Sequence, residues 1–251
     1  MFNGVLRSVL IASAAMASLA QASPARDLEA AVQRDQVAFI LVTEPGAPGT
    51  EQARLLIRQT MNRVDNSALV ELDRSNSANA GLVAKFRLAG APVPLILVAA
   101  RNGVLAGGLP AADATPDKLL AVVPSPKKAE VIQLLQAGKA VFIAISRKSM
   151  SARAGATSAC AAACAQLKDQ GATVGIDLDD PREAEFLAQL SVDRAAKEPV
   201  TLVVNPQGQI AGTYAGATDV ASLVQAATRR VGGCCPSTAQ GGSQSCAPAK
   251  K

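Results

Sequence analysis

Histidine and tryptophan are both absent from the chain, and aromatic residues make up only 2% of its 251 residues. Without histidine, a Ser-His-Asp triad, a Cys-His nucleophile and every histidine-containing metal site are excluded. With so few aromatic rings, the chain also lacks the stacking surfaces that single-stranded nucleic acid needs. The 25 basic residues are spread along the sequence rather than clustered, so we expect no nucleic-acid partner.

The composition nevertheless suits a folded protein. Hydrophobic residues account for 49% and charged residues for 18% of the chain, which is enough apolar material for a substantial core. The length predicts one or two domains.

The first 22 residues have the three parts of a secretory signal peptide. Arg7 is followed by an apolar stretch, residues 9–19, and then by Ala20-Gln21-Ala22, which has the A-x-A form of a cleavage site. The apolar stretch is shorter than the roughly 20 residues that a membrane-spanning helix needs. We therefore predict that residues 1–22 are a cleaved signal peptide and that the mature chain is periplasmic or secreted. No later segment is long enough to span a membrane.

The predicted mature chain uses one pattern of helices and strands twice, at a spacing of about 104 residues. In each half, an apolar strand, a strand ending in aspartate and a proline followed by a third apolar strand alternate with helices. The matched positions are Phe39 and Phe142, Asp73 and Asp177, and Pro94 and Pro199. This alternation predicts an α/β fold in which each half has a mixed central sheet flanked by helices. The proline-rich link at residues 123–126 predicts domains at 23–123 and 124–231.

The segment KFRLAGAPVP, Lys85 to Pro94, is followed by an apolar strand and the turn Asn102-Gly103. This arrangement resembles the thioredoxin-like fold, and two such units in tandem resemble the non-catalytic domains of protein disulfide isomerases. The resemblance implies a cis peptide bond before Pro94 and another before Pro199. It also implies that extended peptides contact the protein near these two prolines.

The same resemblance places a Trp-Cys-x-x-Cys motif after the first strand of each unit, and neither half contains it. The matching stretches, residues 43–50 and 146–152, have no cysteine. The first half therefore cannot carry out dithiol exchange. Whether the protein is an enzyme stays open, and any enzyme activity would be thiol-disulfide exchange through other cysteines.

Five cysteines lie in the second half of the chain. Cys160 and Cys164 are spaced i,i+4 on a predicted helix and can pack in the core, pair with other cysteines or form half of a soft-metal site. The others, Cys234, Cys235 and Cys246, lie in a predicted flexible tail at residues 232–251. These tail cysteines can form structural disulfides, exchange disulfides or bind a thiophilic ion.

The sequence therefore predicts an exported thioredoxin-like protein that binds protein or peptide partners through its thiols or exchanges disulfides in the cell envelope. One alternative is a non-catalytic protein-binding module with structural disulfides. The other is a thiolate protein that binds copper or zinc, although the cysteine spacing does not match a Cys-x-x-Cys zinc module. The sequence indicates no cofactor, and no residue is assigned as a metal ligand.

Overall fold

The computed structural model describes residues 23–229, which form two units with the same order of elements. The strands are β1 (Val37–Thr43), β2 (Ser67–Asp73), β3 (Leu95–Ala99), β4 (Leu105–Pro110), β5 (Ala140–Ser146), β6 (Gly171–Asp177), β7 (Val200–Val204) and β8 (Ile210–Ala215). The α-helices are α1 (Pro24–Gln33), α2 (Thr50–Met61), α3 (Ala80–Lys85), α4 (Pro116–Val122), α5 (Pro126–Gln136), α6 (Arg153–Gln166), α7 (Ala184–Gln189) and α8 (Val220–Thr228). Short 3₁₀ helices cover Ser77–Asn79, Ala111–Asp113, Lys168–Gln170 and Pro181–Glu183.

Each unit contains a four-stranded mixed sheet, in the order β2-β1-β3-β4 in the first unit and β6-β5-β7-β8 in the second. The two strands β1 and β2 run parallel, while β3 is antiparallel to both β1 and β4. The second sheet repeats these directions. With the strands after Pro94 and Pro199 in central positions, both units have the thioredoxin-like fold, as the sequence predicted.

The central strands are apolar on both sides because helices cover both faces of each sheet. In the first unit, α1 and α3 pack on the face that carries Ile40 and Val42, and α2 and α4 pack on the face that carries Phe39 and Leu41. The second unit has the same three layers, with α5 and α7 on one face and α6 and α8 on the other. No helix within residues 23–229 is long and apolar enough to cross a membrane.

The two units contact each other through α5 and the turn between β3 and β4. Asn102 Nδ2 donates hydrogen bonds to the carbonyl oxygen of Ala129 and to Gln133 Oε1, each at 3.2 Å. Gln136 Nε2 donates to the carbonyl oxygen of Leu105 at 2.9 Å. A small cluster, with Ala100, Val104 and Ala129 buried and Ile132 partly buried, packs between them. The linker therefore joins units that also share a packed contact.

Candidate functional site

The loop after β1 stands where a redox motif would lie, and it carries hydroxyl groups instead of sulfur. Thr43 Oγ1 and Thr50 Oγ1 lie 3.0 Å apart, within hydrogen-bonding distance, and Thr50 Oγ1 donates to the carbonyl oxygen of Ala47 at 2.8 Å. Gly46 and Gly49 have positive φ, so they supply the left-handed conformations that this tight entry to α2 requires. The side chains here hold the turn together and provide no group for disulfide exchange.

The corresponding loop after β5 is closed by a buried methionine. Met150 is buried, and its Sδ accepts a hydrogen bond from the backbone N–H of Arg147 at 3.4 Å. The Arg147 guanidinium donates to Asp179 Oδ1 at 2.9 Å and to the carbonyl oxygen of Ala196 at 2.8 Å, tying neighbouring loops across this end of the sheet. This loop likewise lacks a nucleophilic sulfur.

Cys160 lies inside α6 and is fully buried against the second sheet. Its Sγ is 3.9 Å from Thr201 Oγ1 on β7. Burial raises the pKa of the Cys160 thiol, and the hydrogen bond with Thr201 lowers it by a smaller amount. Reactive cysteines are accessible and ionise readily, so this geometry favours core packing among the three interpretations of Cys160.

Cys164 lies one turn further along α6 and is partly exposed. It packs against the cluster that contains Leu223 and Ala226 of α8. Both cysteines are free thiols. Cys234, Cys235 and Cys246 lie outside the described residues, so the predicted pairings with them stay predictions.

The two prolines before the central strands differ in their peptide bonds. The Val93–Pro94 bond is cis, as predicted, whereas the bond before Pro199 is trans, so the prediction of a second cis bond is wrong. The connection from α7 to β7 is one residue longer than that from α3 to β3, and the trans isomer is intrinsically favoured where the surrounding chain does not select cis. Contact of peptides with Pro94 or Pro199 stays a prediction.

An apolar groove of about 450 Å³ opens between α1 and α3 of the first unit. Leu28 and Val32 line it from α1, Leu82 lines it from α3, and Phe86 lines it from just after the end of α3. Val32 is a large apolar side chain, yet it is 41% exposed. Gly103 closes one end, where an added Cβ would lie 2.8 Å from Val32 Cγ2. The groove thus presents apolar side chains to solvent at the surface of a folded unit.

The groove has small residues in its floor where the second unit has larger ones. Ala38 of β1 pairs with Ala99 of β3, and both line the groove. At the same place in the second sheet, Val141 of β5 pairs with Val204 of β7, and both are buried in the core. The strands therefore leave a hollow in the first unit that the same fold fills in the second.

The helix above the groove shows the same difference. The carbonyl oxygen of Ala31 accepts a hydrogen bond from the backbone N–H of Gln36. The carbonyl oxygen of Leu134 accepts the same kind of bond from Lys139, so Ala31 and Leu134 hold equivalent positions near the ends of α1 and α5. Ala31 is buried in the core of the first unit and lines the groove, and the larger Leu134 is partly buried against the core of the second unit. A third alanine thus contributes to the hollow in the first unit.

Ionisable side chains form no metal site in the described part of the chain. Residues 23–229 contain no group of three or more Cys, Asp or Glu side chains placed to hold an ion. Asp180, which lies between β6 and α7, has a structural role, because its Oδ1 accepts a hydrogen bond from the backbone N–H of Arg182 at the start of a 3₁₀ helix.

Comparison with known proteins finds similarity in fold only. No protein-family model and no curated protein sequence matches the chain. Among solved structures, the first two thioredoxin domains of Saccharomyces cerevisiae Eps1p are 13% identical, covering 80% of this chain and 95% of that one, with a TM-score of 0.30. Human ERp44 (form II) is also 13% identical, covering 84% of this chain and 57% of that one, with a TM-score of 0.37. The N-terminal domain of the alkylhydroperoxide reductase AhpF from Enterococcus faecalis is 10% identical, covering 80% and 96%, with a TM-score of 0.25.

Sequence reasoning concentrated on sulfur and proline and missed the groove. The repeat did contain a sign of the groove, since the first half has alanine at positions 38 and 99 where the second half has valine at the corresponding positions 141 and 204. Without the strand register, however, a difference between alanine and valine at corresponding positions cannot be distinguished from the ordinary variation of core residues.

Proposed function

We propose that this protein is an exported, non-catalytic binding protein whose first unit holds an apolar segment of a partner polypeptide in the groove between α1 and α3. The small side chains of Ala38 and Ala99 in the floor of the groove carry this proposal, because the second unit has valine at both positions and so shows that the fold accepts larger side chains. A single Leu or Phe side chain that moves from water into such a groove gains about 1.5–3 kcal/mol. That gain is enough to anchor a segment of an extended chain.

The absence of cysteine from the loops at both sheet ends supports binding over catalysis. The loops at 43–50 and 146–152 hold hydroxyl groups and a buried thioether, and Cys160 is enclosed by the core. Among the described residues, only Cys164 has a partly exposed thiol. A covalent link to a partner would therefore depend on Cys164 together with Cys234, Cys235 and Cys246. Export to the periplasm or the extracellular space rests on the signal-peptide pattern of residues 1–22.

The test is binding of a fluorescent peptide with a central Leu-Phe-Leu segment to the mature chain, measured by anisotropy. The variant Ala38→Val/Ala99→Val fills the floor with the residues that the second unit uses. It should weaken binding by roughly 10- to 150-fold, which corresponds to losing the burial of one large side chain. Its thermal stability should stay equal or rise, because the added methyl groups fill an existing hollow.

A matched variant separates the groove from the proline edge. Pro92 is exposed next to the Val93–Pro94 bond, so Pro92→Arg places a bulky side chain where the family resemblance predicts peptide contact. We expect it to leave binding unchanged. If Pro92→Arg abolishes binding and the alanine-to-valine variant does not, the proline edge is the binding site and the groove proposal is wrong.

A further inference from the structure

A second groove of about 730 Å³ adjoins the first and lies between the two units. Both grooves are lined by Lys85, Phe86, Asn102 and Gly103, so one continues into the other. On the far side, the second groove is lined by Gln133 and Gln136 of α5. A segment seated between α1 and α3 can therefore extend into the space between the units.

The second groove is basic. Lys85 and Arg87 are its charged lining residues, and both are exposed. Within residues 23–229, neither side chain forms an ion pair. The Lys85 ammonium lies 5.6 Å from the centre of the Phe86 ring, above an aromatic face that also lines the apolar groove. Two unpaired cations thus border the apolar site, while Glu29 is the acid that lines its α1 side.

The cations are specific to the first unit. Arg87 has φ +55° just after α3, and Ser191 has φ +56° just after α7, so the backbone is the same at both places. Two residues earlier, Lys85 corresponds to Gln189. The second unit is therefore neutral at both positions. The two positive charges therefore occur in the unit that has the open groove and not in the other unit, although both have the same fold.

We infer that the polypeptide segment bound by this protein carries acidic residues beside its apolar anchor, and that Lys85 and Arg87 bind those carboxylates. This inference rests on the proposed function, since it names the class of segment that the same site takes. A polypeptide suits the site better than an anionic membrane, because the cations flank a concave groove between two units rather than a flat or convex face. The contact would add affinity at low salt and would favour acidic segments over basic ones.

The test compares three peptides of about 12 residues with the same Leu-Phe-Leu centre, flanked on one side by Glu, Gln or Lys. Binding to the mature chain is measured at about 20 mM and about 300 mM salt, where screening differs strongly. We expect affinity in the order Glu, Gln, Lys at low salt, with the differences shrinking at high salt. The variant Lys85→Gln/Arg87→Ser, which installs the second unit's residues, should weaken only the Glu peptide, by roughly 3- to 30-fold.

A charge-matched control is Lys148→Gln/Lys197→Gln, which removes two exposed lysines that do not line either groove. It should leave the preference for the Glu peptide intact. Equal affinity for all three peptides, or the same loss for all three in Lys85→Gln/Arg87→Ser, would overturn the inference and leave the groove proposal standing. No binding of any peptide would overturn both. Binding of the chain to anionic lipid vesicles more tightly than to the Glu peptide, with loss of that binding in Lys85→Gln/Arg87→Ser, would replace the polypeptide with a membrane surface.

Discussion

Glu183 is a buried carboxylate on which the start of the second unit depends. Glu183 is only 1% exposed to solvent. Its Oε2 accepts the hydroxyl of Ser125 at 2.6 Å, and its Oε1 accepts the backbone N–H of Lys127 at 3.0 Å. Ser125 in turn accepts the N–H of Lys128 and so caps α5. At the matched position of the first unit, Asn79 Nδ2 donates to the carbonyl oxygen of Asp73 instead, and the side chain makes no capping hydrogen bond to a helix.

The cost of removing Glu183 follows from these two bonds. A hydrogen bond to a charged group contributes about 1.5–3 kcal/mol, and an unsatisfied buried donor loses its solvation as well. Glu183→Ala should therefore lower the free energy of unfolding of the second unit by about 3–6 kcal/mol. Glu183→Gln keeps an acceptor for Lys127 and should cost about 1–2 kcal/mol.

The assay is urea denaturation of the mature chain, with Ser125→Ala and the double variant completing a thermodynamic cycle. Because Ser125 and Glu183 share one bond, their effects should not add, and the coupling energy should be about 1.5–3 kcal/mol. A loss below about 1 kcal/mol in Glu183→Ala, or full additivity with Ser125→Ala, would refute the reasoning that this bond fixes the start of α5.

Three further outcomes are expected. Iodoacetamide should modify Cys164 in the folded chain but Cys160 only in denaturant, because Cys160 is fully buried and burial raises the pKa of its thiol. Peptide mass spectrometry reads both modifications, and equal rates of modification of the two thiols in the folded chain would contradict the placement of Cys160 in the core. Gly108→Ala should lower the free energy of unfolding by about 1–3 kcal/mol in a urea titration, since the new Cβ would lie 2.8 Å from the carbonyl oxygen of Ile96, while Gly175→Ala, with no atom within 4 Å, is the control. The mature chain should not accelerate reduction of insulin disulfides by dithiothreitol, and a rate above that of Cys164→Ser would show that the partly exposed thiol is redox-active.

Patterns of apolar residues were sufficient to predict an α/β fold with a mixed sheet in each half, and the resemblance of residues 85–94 added the thioredoxin-like fold. The strands around Phe39 and Phe142 are apolar without interruption, which indicates burial on both faces and hence covering helices. The cis isomer of the Val93–Pro94 peptide bond was also predicted, from the resemblance. The resemblance also implied a cis bond before Pro199, where the structure has a trans bond after a connection that is one residue longer.

The candidate site was harder to predict, because it depends on depth and register. The i,i+4 spacing correctly placed Cys160 and Cys164 on one face of a helix, yet only the packing of α6 on β7 shows that one thiol is enclosed and the other partly exposed. The groove depends on which alanines face each other across β1 and β3. Pairing is a property of the folded sheet, so the sequence of either strand alone does not contain it.

The alanines in the floor of the groove predict that the first unit gains stability when they are enlarged. At two equivalent positions, the second unit buries Val141 and Val204 where the first has alanine, and each additional buried methyl or methylene group contributes about 0.8 kcal/mol. Tyr214, the one tyrosine of the chain, lies in β8, so its fluorescence reports the second unit alone, whereas circular dichroism reports both. In a urea titration we expect Ala38→Val/Ala99→Val to move the dichroism midpoint to a higher urea concentration and to leave the tyrosine midpoint unchanged. A shift of both midpoints together would mean that contact through α5 makes the units unfold as one, and no rise in either midpoint would show that the floor of the groove has no hollow to fill.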